Sequence, residues 1–153
     1  MTVLKIQTGP ENPILRKKST PIENIDKSIK KLAKDMVETM NANNGLGIAA
    51  PQVGINKRMF ITTINIGQDN EGLITMINPE IEFLNEEMES GEEGCLSLPE
   101  LFKQVTRHKN VRVKYKDLKG NEHILELEGL NARVIQHETD HLDGILFIDR
   151  VDE

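Results

Sequence analysis

The sequence predicts an α+β fold on three observations. Apolar residues at Ile25, Ile29, Leu32, Ala33, Met36, Val37 and Met40 recur with the spacing of one face of a helix. A run of short aliphatic and β-branched segments follows, separated by Gly, Asn and Asp. A second helical pattern starts at Gly129, with Leu130, Val134, His137 and His141 spaced by four, three and four. Strands in a run between helices, without strand-helix alternation, are the mark of α+β.

Taken in order, Gly9 to Pro21 holds three prolines and reads as an irregular arm that wraps the domain. The first helix is capped by Asn24 or Asp26 and ends at Asn43-Asn44-Gly45, residues that tolerate a left-handed terminus. Strands are expected at Arg58 to Ile66 and Leu73 to Ile77, with a turn at Gly67 to Gly72 and a break at Asn78-Pro79. Ile81, Phe83 and Met88 suggest a further edge strand, and the acidic run Glu80 to Glu89 reads as a solvated face. Val111, Val113 and Tyr115, then Leu125 and Leu127, alternate with charged residues around a turn at Asp117 to Asn121, a hairpin with one wet face. Asp143-Gly144 stops the final helix, and Ile145 to Ile148 is an apolar tail for the core or a short strand. His108 and His123 read as ordinary surface or turn residues.

A chain of 153 residues fits one domain, 1–153. At that size folding buries about 68–70% of the unfolded surface, so no staple is needed. Aromatics make up only 3% and Trp is absent, so the core must be aliphatic. The net charge of −6 is spread over mixed acids and bases, which gives no basic face for nucleic acid and no polybasic segment for anionic lipid. Neither a secretory h-region in residues 1–7 nor a membrane-length apolar run is present, so a cytoplasmic protein is expected. The single cysteine, Cys95, cannot form an internal disulfide, in keeping with a reducing compartment.

Three stretches carry chemistry. In Gln136-His137-Glu138-Thr139-Asp140-His141, a helical backbone puts both imidazoles on one face, able to grip one divalent ion, with Glu138 beside them. An ion with an open coordination position lowers the pKa of its water towards ~7, and a neighbouring carboxylate takes the proton. The expectation is hydrolysis by metal-bound hydroxide, against the plainer reading of a surface helix that carries two histidines. In Gly45-Leu46-Gly47-Ile48-Ala49-Ala50-Pro51-Gln52, small residues expose backbone to a ligand, or merely make a tight connection. Gln52 supplies an amide that can donate to a carbonyl oxygen. In Glu93-Gly94-Cys95-Leu96-Ser97, flanking Gly and Pro hold Cys95 on a bend. Its thiolate completes a Cys-His-His set with one place open, or it is simply a small buried hydrophobe.

With these stretches, in this order, the sequence resembles the peptide deformylases over nearly its whole length. The resemblance implies antiparallel or mixed sheets around a central C-terminal HExxH helix, with an N-terminal helix packed outside. It implies removal of the formyl group from formyl-methionyl nascent peptides, with Cys95, His137 and His141 as metal ligands and Glu138 as general acid and base. Gln52 and the backbone N–H of Leu96 would receive the oxyanion, and Gly47 would bond the substrate backbone. Leu130, Val134 and the Gly45 loop would line the methionine pocket. Ferrous iron is the implied physiological ion, with zinc, nickel or cobalt as substitutes. Longer bacterial members continue into a helix that docks on the ribosome, whereas this chain stops three residues after Arg150, so such docking is not expected. Short members include organellar and virus-encoded ones. Two other readings are a general metallopeptidase and a catalytically silent peptide-binding relative.

Overall fold

The computed structural model describes residues 2–152; the first and last positions of the 1–153 span lie outside the described residues. A five-stranded antiparallel sheet runs in the order β1 (Gly47–Ala49), β2 (Met59–Ile64), β3 (Gly72–Phe83), β6 (Asn110–Lys116) and β7 (Glu122–Glu128). A separate hairpin pairs β4 (Met88–Cys95) with β5 (Leu98–His108). The four-residue α1 (Pro13–Arg16), α2 (Lys27–Ala42) and α3 (Gly129–Leu142) complete the described helices, apart from short 3₁₀ turns at Ala50–Val53 and Phe147–Arg150. The α+β expectation holds.

Both faces of the main sheet are covered, which is why β2 is buried from Met59 to Thr63 without alternation. On one face, Met59, Ile61 and Ile77 pack with Ile29, Ala33, Met36 and Met40 of α2. On the other, Phe60, Met76, Val113 and Tyr115 pack with Ile135 and Leu142 of α3. Leu98 and Val105 of the hairpin join Leu15, Leu146 and Phe147 in a third cluster. The result is a stack in which α2 lies outside, and α3 contacts both the main sheet and β5.

Local chemistry explains the boundaries. Asp26, not Asn24, caps α2, accepting from the N–H of Ile29 at 3.1 Å. The expected break at Asn78-Pro79 is instead a bulge inside one continuous strand, since the β3–β6 register shifts between Ile77 and Glu80. Asn78 sits at a φ of 51°, and its side chain both accepts from Ile22 N–H and donates to Ile22 C=O, each at 2.8 Å. Ile81 and Phe83 therefore belong to β3, and only Met88 opens a new strand. The proline-rich arm includes α1, which Asn12 caps through the N–H of Ile14. The apolar tail is a 3₁₀ turn whose Leu146 and Phe147 are buried.

The metal-motif helix ends in a Schellman motif: Ile145 N–H reaches Asp140 C=O at 2.9 Å and Gly144 N–H reaches His141 C=O at 3.2 Å. Gly144 has a φ of 75°, and a Cβ there would run into the Arg16 carbonyl. Gly144→Ala is therefore expected to lower stability by at least about 1 kcal/mol, read by thermal denaturation.

Candidate metal centre and active site

Alternation along β4 builds one wall of the site. Residues two apart share a strand face, so positions 91, 93 and 95 all turn towards α3. Gly91 leaves room for the Arg133 guanidinium, within 3.2 Å of where a Cβ would stand. Glu93, 6% exposed, binds Arg107 through two bonds of 2.7 and 2.9 Å, Arg133 at 2.7 Å and His137 Nδ1 at 2.9 Å. Cys95 closes the strand at the tight turn to Leu98, with Leu96 in the turn itself.

His137 and His141 present themselves from α3 one turn apart, as the spacing requires. Cys95 Sγ lies 3.3 Å from His141 Nε2. One donor atom from each of Cys95, His137 and His141 falls within 4.8 Å of the others. Because Glu93 engages His137 Nδ1, that ring's Nε2 is left for the shared point. One sulfur and two imidazole nitrogens make a borderline-soft set of three, suited to a catalytic transition-metal ion with a further position open. The donor set and its carboxylate-buttressed histidine thus fit a divalent ion.

The charge states of these groups are coupled to one another. Burial pushes the Cys95 thiol up, but the imidazoles of His141 and His137 outweigh it and hold the group well below its ordinary value. Burial pulls His137 down, whereas Cys95 and Glu93 raise it to about 10. Burial also opposes ionisation of Glu93, yet Arg107 and His137 keep it well below the usual carboxylate range. Glu138 behaves in the opposite way: burial drives its carboxyl up, and its Oε1 has no hydrogen-bond partner.

Gln52 sits in the 3₁₀ turn after β1. The N–H of Ala49 donates to its Oε1 at 2.9 Å, so its Nε2 must face the site, 3.3 Å from Cys95 Sγ and 3.1 Å from Ser97 Oγ. Gly47 is a glycine for a packing reason. A Cβ there would collide with the Glu138 carboxylate and stand 2.9 Å from Thr62 Oγ1.

A cavity of about 600 Å³ opens over these groups, lined among others by Gly45, Gly47, Gln52, Leu96, Leu130 and Val134. Cys95, His137 and Glu138 line its inner part, while His141 is only 1% exposed. All ten site residues expected from the sequence are thus brought to one place. A second cavity of about 560 Å³ lies against another face of α3, but its arginines are already paired: Arg58 with Asp143, and Arg107 and Arg150 with Asp140. His108 stacks on Phe83 and His123 pairs with Asp117, away from the Cys-His-His group.

Sequence reasoning missed Arg107, Arg133, Asp140 and the role of Glu93. Arg133 lies one helical turn before His137 and could have been found by that spacing. Arg107 carried no local signal. Replacing Arg107 with Met leaves Glu93 and Asp140 buried with fewer partners. A loss of about 3–5 kcal/mol is expected by chemical denaturation. Metal affinity should weaken by about 10–100-fold in competitive chelator titration, because Glu93, which orients His137, loses the two bonds that Arg107 gives it. Gly47→Ala should displace Glu138 and cut turnover by about 10² while bound metal, measured by elemental analysis, is retained.

Comparison with known proteins covers nearly the whole chain. The polypeptide deformylase family model matches residues 3–153. The peptide deformylase of Thermotoga maritima is 46% identical over 92% of this chain and 82% of its own length. The crystal structure of the Thermotoga maritima enzyme superposes with a TM-score of 0.93 at 42% identity, covering 100% of both chains. The class I type b peptide deformylase of Acinetobacter baumannii with Met-Ala-Ser bound gives 0.88 at 40% identity, covering 97% of this chain and 98% of that one. No helix among the described residues is long and apolar enough to cross a membrane. Sequence, fold and site agree, and the chain belongs to the peptide deformylases, metal-dependent hydrolases that act on formyl-methionyl nascent peptides.

Proposed function

We propose that residues 1–153 form one catalytic domain that removes the formyl group from the N-terminal formyl-methionine of newly made polypeptides, in the cytoplasm. The observation that carries this reading is the meeting of the Cys95, His137 and His141 donors beside the unpartnered carboxyl of Glu138, at the inner end of a cavity with an apolar wall.

Cys95, His137 and His141 would hold one divalent ion, ferrous iron in the cell and zinc, nickel or cobalt in purified samples. Such an ion supplies Lewis acidity and a nucleophile at neutral pH. Glu138 takes the proton from the attacking water and delivers it to the departing amine nitrogen. Its carboxyl is buried, and its Oε1 has no hydrogen-bond partner, which leaves it available for both halves of that task. Gln52 Nε2, fixed by Ala49, and the N–H of Leu96 donate to the negative charge that gathers on the formyl oxygen, on the order of 3 kcal/mol per donor. The backbone of Gly47 bonds the substrate main chain, and Gly45, Leu130 and Val134 receive the methionine side chain. A formyl carbon bears only hydrogen, so a crowded site excludes acetylated peptides. Met-Ala-Ser, bound in the Acinetobacter relative, is what remains when formyl-Met-Ala-Ser loses its formyl group.

An anaerobic assay on formyl-Met-Ala-Ser with bound metal measured in parallel tests the proposal. Formate and Met-Ala-Ser should appear in equal amounts. Absence of formate from the iron, nickel and zinc forms would overturn it. Glu138→Ala should keep its metal and lose about 10²–10⁴ in kcat. His137→Ala or His141→Ala should lose the ion itself, and Cys95→Ser should favour harder ions over soft ones in metal analysis.

A further inference from the structure

One wall of the cavity over the Cys-His-His group comes from a turn. Residues 65–71 carry the chain from β2 into β3, and Ile66, half-buried in this turn, lines the cavity together with Leu130 and Val134 of α3. Most hydrogen bonds of the turn run within it. Gln68 N–H donates to Asn65 C=O at 3.0 Å, Glu71 N–H to Gln68 C=O at 3.0 Å, and Gly67 N–H to Glu71 Oε1 at 2.9 Å. A turn bonded only to itself would leave Ile66 free to swing away from the helix.

One residue pair opposes that motion. Asn65 N–H donates to Asn131 Oδ1, and Asn131 Nδ2 donates back to Asn65 Oδ1, each at 2.8 Å. Among the described residues, these are the hydrogen bonds that tie the turn to another element. Asn131 lies in the first turn of α3 beside Leu130, so the pair fixes the spacing between two apolar walls, Ile66 and Leu130. Asn65 stands at a φ of 56°, a left-handed conformation that asparagine tolerates and β-branched residues do not. Two residues earlier, Thr63 N–H donates to Leu46 C=O at 2.8 Å, and Leu46 lines the cavity as well. The end of β2 and its exit therefore staple a wall on each side.

We propose that Asn65 and Asn131 are positioning residues for the deformylation reaction: their reciprocal pair holds Ile66 in place, so that the methionine side chain enters a pre-formed slot between the turn and α3. The assignment rests on the deformylase reading above. Neither asparagine lines the cavity, so both act through the wall they hold. A wall in place only part of the time lowers apparent affinity by the fraction of time it is displaced, an effect on KM and not on kcat. Losing two hydrogen bonds of ordinary strength shifts that equilibrium by roughly 10–100-fold, enough to lower kcat/KM by about threefold to tenfold.

The test uses the metal-loaded enzyme with formyl-Met-Ala-Ser and with formyl-Ala-Ala-Ser, whose first side chain is a single methyl group. Asn131→Leu removes both bonds and should cut kcat/KM for the methionine peptide by about threefold to tenfold, through KM, while the alanine peptide changes by less than about twofold. Asn65→Gly keeps the left-handed bend and removes one bond, so a smaller fall in the same direction is expected. Asn65→Asp keeps the bend and the acceptor for Asn131 Nδ2, and should stay within about twofold of the unsubstituted enzyme. Hydrogen exchange at residues 65–71 should quicken in Asn131→Leu and stay unchanged in α2, which marks a local opening. An unchanged kcat/KM for the methionine peptide, an equal fall for both peptides, or an Asn65→Asp enzyme as impaired as Asn131→Leu overturns the role of the pair while leaving deformylation intact. No turnover of the methionine peptide by the unsubstituted enzyme overturns the deformylase reading and this inference with it.

Discussion

The site depends on a buried ionic cluster that bolts the β4–β5 hairpin to α3. Glu93 of β4 receives Arg107 of β5 and Arg133 of α3, and Arg107 also reaches Asp140 of α3 at 2.7 Å. Arg150 closes the far end on Asp140 at 2.9 Å. Taking such charges out of water costs several kcal/mol per ion, so the cluster is not a net source of stability compared with a well-packed apolar core. What it supplies is placement. The thiol comes from the hairpin and the imidazoles from the helix, and only the relative position of those two elements brings the donors together.

The same cluster couples stability to chemistry. Glu93 is at once the counter-charge of two arginines and the hydrogen-bond partner of His137 Nδ1, so the ring proposed to hold an ion is oriented by the contact that docks the hairpin. On the opposite side of the helix motif, Gly47 lets the Glu138 carboxyl lie against β1. Gln52 is aimed by a backbone N–H in the turn that follows the same strand. Each group given a part in the proposed reaction is therefore fixed by a regular element or by a turn anchored to one, which keeps the geometry tighter than free loops could.

Much of this was legible in the sequence. The helix at Ile25 to Met40, the last hairpin and the His137-Glu138-His141 helix follow from periodicity, because one side of each is apolar or carries a repeating chemistry. The hairpin that bears Cys95 was not legible. Along β5 the exposed positions include Phe102 at 61%, while a charged residue, Arg107, is 4% exposed, which inverts the pattern that marks a strand. The Asn78-Pro79 pair looked like a terminus because a proline removes a ladder donor, but a bulge accommodates that loss. Glu93 stood inside a recognised motif without a role. Its two arginines are 14 and 40 residues away, and no local rule links them.

The placement claim is tested most directly by X-ray absorption fine structure on the zinc-loaded protein. One sulfur scatterer at about 2.3 Å with two imidazole nitrogens at about 2.0–2.1 Å is the predicted shell. A shell of nitrogen and oxygen alone, with no sulfur at bonding distance, would show that the hairpin does not deliver Cys95 to the two histidines and would contradict the account.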